Sequence, residues 1–296
     1  MYDTDSKGIS FTAGFFILIA LTAAGLLVAS AISIPVWTKM TGTSIDEMAK
    51  SLGNPAYANV TRIIQTITVI FAFFIPTLIA ASLLSRKPLK LLGFTSGIRA
   101  GQLGLVVLIM IAALLVSVSL SRFNTMIPLP ASWKTTFDKW EDNYNEQVKA
   151  ILGLRNVPEY ILALFIMAFL PALCEETLFR GGLQNFLTRS TKMPLLSIIL
   201  VSIIFSAIHF SWYGFFSRFF LGFILGFIYH YSGKLWLNIL GHFLNNVIAI
   251  TAMYVAFDDQ VIKYWGLLLL PLVVGLLLIF QRISYGSALV VKRSIK

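Results

Sequence analysis

The sequence predicts an all-α protein that crosses a membrane several times. Of its 296 residues, 57% are hydrophobic and only 12% are charged, whereas a soluble globular domain carries about 25% charged residues. The mean hydropathy is +0.83. Apolar runs of about 20 residues, the length that crosses a bilayer, recur along the whole chain. Residues 1–296 are therefore expected to form a single polytopic membrane domain.

About eight spans follow from the apolar runs and the polar residues that separate them. Pro194 is expected to open the fifth span, because proline is tolerated in the first turn of a helix. Gly222 and Gly226 form a GxxxG pair in the sixth span, a pattern typical of close helix packing. The spans lie near residues 11–34, 62–84, 99–120, 158–188, 194–211, 214–232, 235–257 and 263–281.

The basic residues indicate how the chain is oriented. The net charge is +10, but most Lys and Arg lie at the ends of apolar runs, so nucleic acid is not an expected partner and membrane lipid is. With an even number of spans, the basic connectors 86–99 and 189–192 fall on one side, and the positive-inside rule places that side and both termini in the cytoplasm. The run 11–34 is too long for a cleavable signal, so a multi-pass protein of the plasma membrane is expected.

The longest polar stretch, 121–157, separates the third and fourth spans. Its back half repeats apolar residues at helical spacing and carries charges of both signs. This pattern predicts an amphipathic helix at the outer interface of the membrane. It is interpreted as a connector without a part in catalysis.

Two adjacent glutamates and an arginine interrupt the fourth span in the stretch CEETLFRGG, residues 174–182. An ionisable group inside a membrane costs several kcal/mol and indicates a functional site by default. Glu176 and Arg180 are spaced i, i+4 with the acid first, the favourable order for a helical ion pair. Glu175 then has no local partner, and a carboxylate in an apolar surround suits a general base for water.

Polar residues of two later spans are expected at a similar depth. At 1.5 Å per residue, Glu175 and His209 both lie about 20 Å from the turn near residue 190. His242 and Asn246 lie about 12–18 Å from the turn at 232–234 and share a helix face. His209 could share the activation of water or orient it, and the other two could stabilise an oxyanion. The set is compatible with hydrolysis of a peptide bond.

Two other ways of activating a nucleophile remain open. Glu175, His209 and His242 could supply a His₂Glu zinc set with an open position for water, although a glutamate base needs no metal and metal-free chemistry is favoured. Cys174 is the single cysteine, and a thiol nucleophile paired with His209 is the rival. A thiol beside a carboxylate in apolar surroundings is a poor source of thiolate.

Three motifs in order resemble the signature of the CPBP family, the CAAX-processing and bacteriocin-processing intramembrane endopeptidases. The family pattern EExxxR, FxxxH and HxxxN is matched by EETLFR, FSAIH and HFLNN within residues 158–255, the expected catalytic core. The resemblance implies that Glu175 and His209 activate water and that His242 and Asn246 form the oxyanion site. It also implies that Glu176 and Arg180 complete the site, and that the substrate is a membrane-associated peptide, either lipidated and CAAX-type or leader-bearing.

Other functions are weighed against proteolysis. Buried Glu, His and Arg also form proton relays in transporters, but the paired halves typical of many transporters are not visible. A non-catalytic scaffold or immunity protein is the second alternative. His230 is interpreted as an interfacial residue, and Asn238 and Asn245 as amides that hydrogen-bond between helices. Substrate is expected to enter from the side of the basic loops, because His242 lies near them.

Overall fold

The computed structural model describes residues 5–152, 156–255 and 262–293, and it confirms an all-α membrane protein. The helices are numbered here α1 to α9, with short helical turns between some of them at Ile45–Ser51, Pro88–Leu91 and Ile262–Leu269. The bounds are α1 Phe11–Thr41, α2 Pro55–Leu84, α3 Ala100–Thr125, α4 Ala131–Leu152, α5 Val157–Thr191, α6 Pro194–Ala207, α7 Phe215–Ser232, α8 Leu235–Tyr254 and α9 Leu270–Arg293.

Six helical segments in the described ranges are long and apolar enough to cross a membrane: α1, α2, α3, α5, α8 and Gly266–Ser284. The fifth predicted span is shorter than expected. Helix α6 has 14 residues and ends at Ala207 rather than at residue 211, so it extends about 21 Å, less than the ~30 Å hydrocarbon core. The chain leaves the helix at His209, and Phe210 adopts φ of +48°, a conformation that a helix cannot contain.

The turns at one end of the bundle pack together, as the antiparallel order of helices predicted. The backbone N–H of Leu235 donates to Gly93 O at 2.8 Å, and Asn185 Nδ2 donates to Leu91 O at 2.7 Å. The basic connector 86–99 and the turns before α6 and α8 therefore share one end of the molecule. Helix α4 and the loop 208–214 lie at the opposite end.

Close packing holds the second half of the chain together. In a bilayer, helices associate through packing and interhelical hydrogen bonds rather than through the hydrophobic effect. The predicted GxxxG contact is present: a Cβ on Gly226 would lie 2.8 Å from Gln184 Oε1 and 2.9 Å from Ile198 Cγ2. A core between α3, α7, α8 and α9 includes Val106, Ile109, Met110, Ile224, Leu225, Ile228, Leu237, Val273 and Phe280.

Helix α5 contains two π-helical stretches, Leu164–Phe169 and Thr177–Gln184. Such stretches are rare and occur frequently at functional sites. The second one begins directly after Glu176 and carries Arg180, Gly181 and Gly182. It therefore sets the direction of the charged residues of the fourth predicted span.

Candidate active site

Glu176 and Arg180 form a fully buried ion pair. Arg180 Nη1 lies 2.8 Å from Glu176 Oε1, and the two side chains are 1% and 0% exposed. The predicted pairing of these residues is therefore present in the structure. Arg180 Nη2 also donates to the backbone carbonyl of Gly222 at 3.1 Å, which is accessible because residue 222 has no side chain. The pair fixes α5 against α7 at this depth.

His242 lies between the two glutamates. Its Nδ1 is 2.8 Å from Glu176 Oε1, and its Nε2 is 3.8 Å from Glu175 Oε2. A carboxylate accepts hydrogen bonds, so Nδ1–H donates to Glu176 and Nε2 is directed toward Glu175. This carboxylate–imidazole contact fixes the tautomer and the orientation of the ring.

Glu175 and His209 are predicted at a similar depth and act on the same water in that prediction; no direct hydrogen bond joins them in the described residues. The imidazole within ion-pair distance of Glu175 belongs to His242. Helix α6 ends at Ala207, so His209 lies in the following loop. There its Nδ1 bonds to Phe205 O at 2.7 Å. Because a carbonyl only accepts, Nδ1 carries the proton, and Nε2 of a neutral His209 is an acceptor.

Phe205 joins the separate parts of the site. Its ring centroid lies 5.1 Å from that of His209 and 5.8 Å from that of His242, both in edge-to-face arrangement. Arg180 Cζ lies 4.8 Å above the same ring, within the range of a cation–π interaction. The phenylalanine of the FxxxH motif thus packs against three polar members of the site.

A cavity of about 890 Å³ adjoins these residues. Phe205, His209, His242 and Asn246 line it, together with apolar side chains of α3, α7 and α8. Its volume falls in the range of ligand-binding pockets. Glu175 is not among the lining residues; its Oε2 lies 3.8 Å from Nε2 of His242, which does line the cavity.

The three amides of α8 have different partners. Asn246, one helical turn after His242, lines the same cavity, and its Nδ2 lies 3.5 Å from Met167 O. Asn245 Nδ2 donates to Asn246 Oδ1 at 3.2 Å, a bond within one helix and not the predicted bond between helices. Asn238 Nδ2 donates across to Leu225 O of α7 at 2.6 Å, which confirms its interhelical use.

The residues of the alternative zinc set are not grouped around one point. In the part of the chain that the structure describes, no three His, Cys, Asp or Glu side chains form a group able to hold an ion. The hydrogen bonds of His242 Nδ1 to Glu176 and of His209 Nδ1 to Phe205 O leave Nε2 of each ring available, so the spacing of its members is what counts against the set. Cys174, the residue of the rival thiol mechanism, is buried and not disulfide-bonded.

Two lining residues were missed by the sequence analysis. Tyr144 of α4 and Arg218 of α7 both border the cavity, and the Arg218 guanidinium lies 5.5 Å from the Tyr144 ring centroid. A signal for Arg218 was present: a lone cation in the apolar run FFSRFFLGF. Tyr144 had no comparable signal, because its helix was interpreted as a connector.

The cavity lies toward the end of the bundle opposite the basic loops. It extends from His242 along α8 to Val255, and Tyr144 of α4 closes part of it. Entry of substrate from the side of connector 86–99 and a cytoplasmic position of the termini stay predictions.

Comparison with known protein families gives a match over the helices that carry the three motifs. Residues 157–248 match the family model described as type II CAAX prenyl endopeptidase Rce1-like. Comparisons with curated proteins and with solved structures gave no match. The match includes all three motifs, from Glu175 to Asn246, and confirms the resemblance found in the sequence. Residues 157–248, about a third of the chain, are therefore similar to the Rce1-like type II CAAX prenyl endopeptidases.

Proposed function

We propose that the protein is an intramembrane endopeptidase that hydrolyses membrane-associated peptides at the site around His242. The observation that carries the proposal is the contact of His242 with Glu175 and Glu176 on the wall of a large cavity. A structural ion pair alone would need only Glu176 and Arg180. The second glutamate, two histidines and an amide beside the same space are what hydrolysis requires.

Glu175 and His209 activate water in this proposal. Glu175 accepts a proton from water as its oxygen attacks the carbonyl carbon of the scissile bond. Nε2 of neutral His209 accepts a hydrogen bond from the same water and orients it. When the tetrahedral intermediate collapses, the C–N bond breaks and the proton passes from Glu175 to the leaving amine. All protons are then accounted for without a further reactant.

His242 and Asn246 stabilise the oxyanion. Glu176 holds Nδ1–H of His242, so the ring donates toward an oxyanion only when Nε2 carries a second proton. Its Nε2–H and the Nδ2–H of Asn246 donate to the developing negative charge. Removing one such donor lowers kcat about 10²–10³-fold in other hydrolases. No cofactor takes part in these steps.

The position of Arg218 favours a substrate whose cleaved bond lies near a free C-terminus, as in CAAX-type peptides. A peptide that is cleaved after an internal leader sequence is less well matched to this site. Among the described residues that line the cavity, Arg218 is the only one whose side chain is that of Lys, Arg, Asp or Glu. Its Nη2 donates to Ser211 O at 2.6 Å, while its buried Nε has no partner in the described ranges. A peptide carboxylate supplies the missing acceptor and a matching charge. The apolar remainder of the wall suits aliphatic side chains or a lipid chain.

Peptide cleavage by purified protein in detergent tests the proposal. Mass spectrometry of a prenylated peptide series, each as free acid and as C-terminal amide, identifies the cleaved bond and the preferred end. We expect cleavage by the wild type and by the control Glu159→Gln, and loss in Glu175→Gln. Equal cleavage of acids and amides would contradict the role of Arg218 and leave hydrolysis intact.

Silence of the wild type on all peptides would contradict the proposed function and favour the alternatives. A proton-coupled transporter would then change the internal pH of proteoliposomes when a pH gradient is imposed. A scaffold would neither cleave peptides nor change the internal pH. A Glu175→Gln variant that cleaves at the wild-type rate would show that Glu175 is not the base.

A further inference from the structure

The loop 208–214, which carries His209, bonds to α3 and α7 through Ser121 Oγ to Tyr213 O and Arg218 Nη2 to Ser211 O, and its side chains pack on α4. Helix α6 ends before it, and Phe210 adopts the left-handed region with φ of +48°. A non-glycine residue there costs about 1–3 kcal/mol and persists only when its surroundings fix it. Such conformations cluster at functional sites. The contacts that fix this loop are therefore relevant to the position of His209.

Helix α4 contacts four successive residues of the loop. Phe137 stacks on Trp212 with ring centroids 5.1 Å apart and an interplanar angle of 12°. Trp140 packs edge-to-face on Phe210 at 5.7 Å. Ser211 Oγ donates to Glu141 Oε2 at 2.6 Å.

The remaining contacts continue along the same face of α4. Tyr213 Oη donates to Asp138, and Tyr144 packs beneath the Arg218 guanidinium and lines the cavity. Residues one and two helical turns apart lie on one side of a helix. The contacting residues of α4 are Phe137, Asp138, Trp140, Glu141 and Tyr144.

We propose that α4 is the positioning element for His209 and that Phe137 and Glu141 are its positioning residues. Apart from this helix, the side chain of His209 contacts Phe205 O and the Phe205 ring. The backbone N–H groups of His209 and Phe210 donate to Ser206 O at 3.4 Å and Ala207 O at 3.2 Å, both within the end of α6. The inference rests on the proposed function, because it assigns α4 to the placement of the water-orienting imidazole.

Side-chain removal on α4 separates this role from simple stabilisation. Phe137→Ala removes the stack on Trp212, and Glu141→Ala removes the acceptor of Ser211. Glu141→Gln keeps an acceptor oxygen at the same place. Asp142→Ala is the matched control: it removes a neighbouring carboxylate that is exposed.

Two readouts are measured on each folded variant: kcat and KM for peptide cleavage, and amide hydrogen exchange of loop 208–214. We expect Phe137→Ala and Glu141→Ala to lower kcat roughly 10- to 100-fold, since a shift of about 1 Å in a reacting group costs that much. KM should change little, and exchange of the loop should become faster. Glu141→Gln should restore both readouts, and Asp142→Ala should leave both at the wild-type level.

Other outcomes overturn the inference. Faster exchange with unchanged kcat would mean that α4 holds the loop but does not position His209 for the reaction. An equal loss of kcat in Asp142→Ala would assign the effect to helix charge or folding. If the wild type cleaves no peptide, the proposed function fails. Independently of that result, unchanged hydrogen exchange of loop 208–214 in Phe137→Ala and Glu141→Ala would show that α4 does not fix the loop.

Discussion

Replacing Arg180 by methionine tests whether the buried ion pair sustains the fold of the site. Methionine keeps most of the side-chain volume and removes the charge, so Glu176, 0% exposed, would keep the imidazole of His242 as its partner and lose its cation. Removing one partner of a buried pair costs about 3–5 kcal/mol, because the other charge is left uncompensated. The cation–π contact with Phe205 and the hydrogen bond to Gly222 O are lost as well.

The free energy of unfolding is measured by titration with SDS in mixed micelles. We expect Arg180→Met to lose several kcal/mol and Arg122→Met, an exposed arginine near the end of α3, to lose little. The double variant Arg180→Met with Glu176→Gln should recover part of the loss, because no unpaired charge remains buried. A loss in Arg180→Met no larger than in Arg122→Met would refute the electrostatic reasoning.

Three further predictions concern packing, pH and the thiol. Gly226→Ala should lower the free energy of unfolding by about 1–3 kcal/mol, because the added methyl group overpacks against Gln184 and Ile198. Gly275→Ala has open space around it and should be neutral or stabilising in the same SDS titration. Lys134 and Tyr213 hold the pKa of Asp138 below its ordinary value. The contribution of the Asp138 carboxylate to folding stability is therefore complete above pH ~3.9, and it is lost as the pH falls through the lowered pKa. The difference in thermal stability between Asp138→Asn and wild type should be constant from pH 5 to 8 and vanish in acid. Cys174→Ser should keep full peptidase activity, and inactivity of the folded variant would restore the thiol mechanism.

Helical spacing and charge order were sufficient to predict part of the site. The ion pair of Glu176 with Arg180 follows from their i, i+4 spacing on one helix, and it is present at 2.8 Å. The common face of His242 and Asn246 follows from the same rule, and both line the cavity. These predictions needed no knowledge of how different helices pack.

The pairing between helices could not be obtained in this way. Depth arithmetic placed Glu175, His209 and His242 at similar levels, but it could not say which of them touch. The structure ends α6 at Ala207 and directs His242 toward Glu175. Nothing in the run SIILVSIIFSAIH shows that the helix stops before residue 209.

The contacts of α4 with loop 208–214 also could not be predicted from the local sequence pattern of α4. Its aromatic residues and mixed charges are typical of a surface helix, and a helix is what they form. Whether such a face meets water, lipid or protein depends on tertiary contacts. Here Phe137 packs against Trp212, and Trp140 packs against Phe210, beside the candidate active site.

The most direct test of the central claim compares peptide cleavage by wild type and Glu175→Ala, each with and without a strong zinc chelator. If the carboxylate of this chain activates water, cleavage is lost in Glu175→Ala and is unchanged when chelator is added to the wild type. Loss of wild-type cleavage in chelator, restored by added zinc, would contradict the claim and would place Glu175, His209 and His242 around a metal. Cleavage that survives in Glu175→Ala would assign the base to another residue.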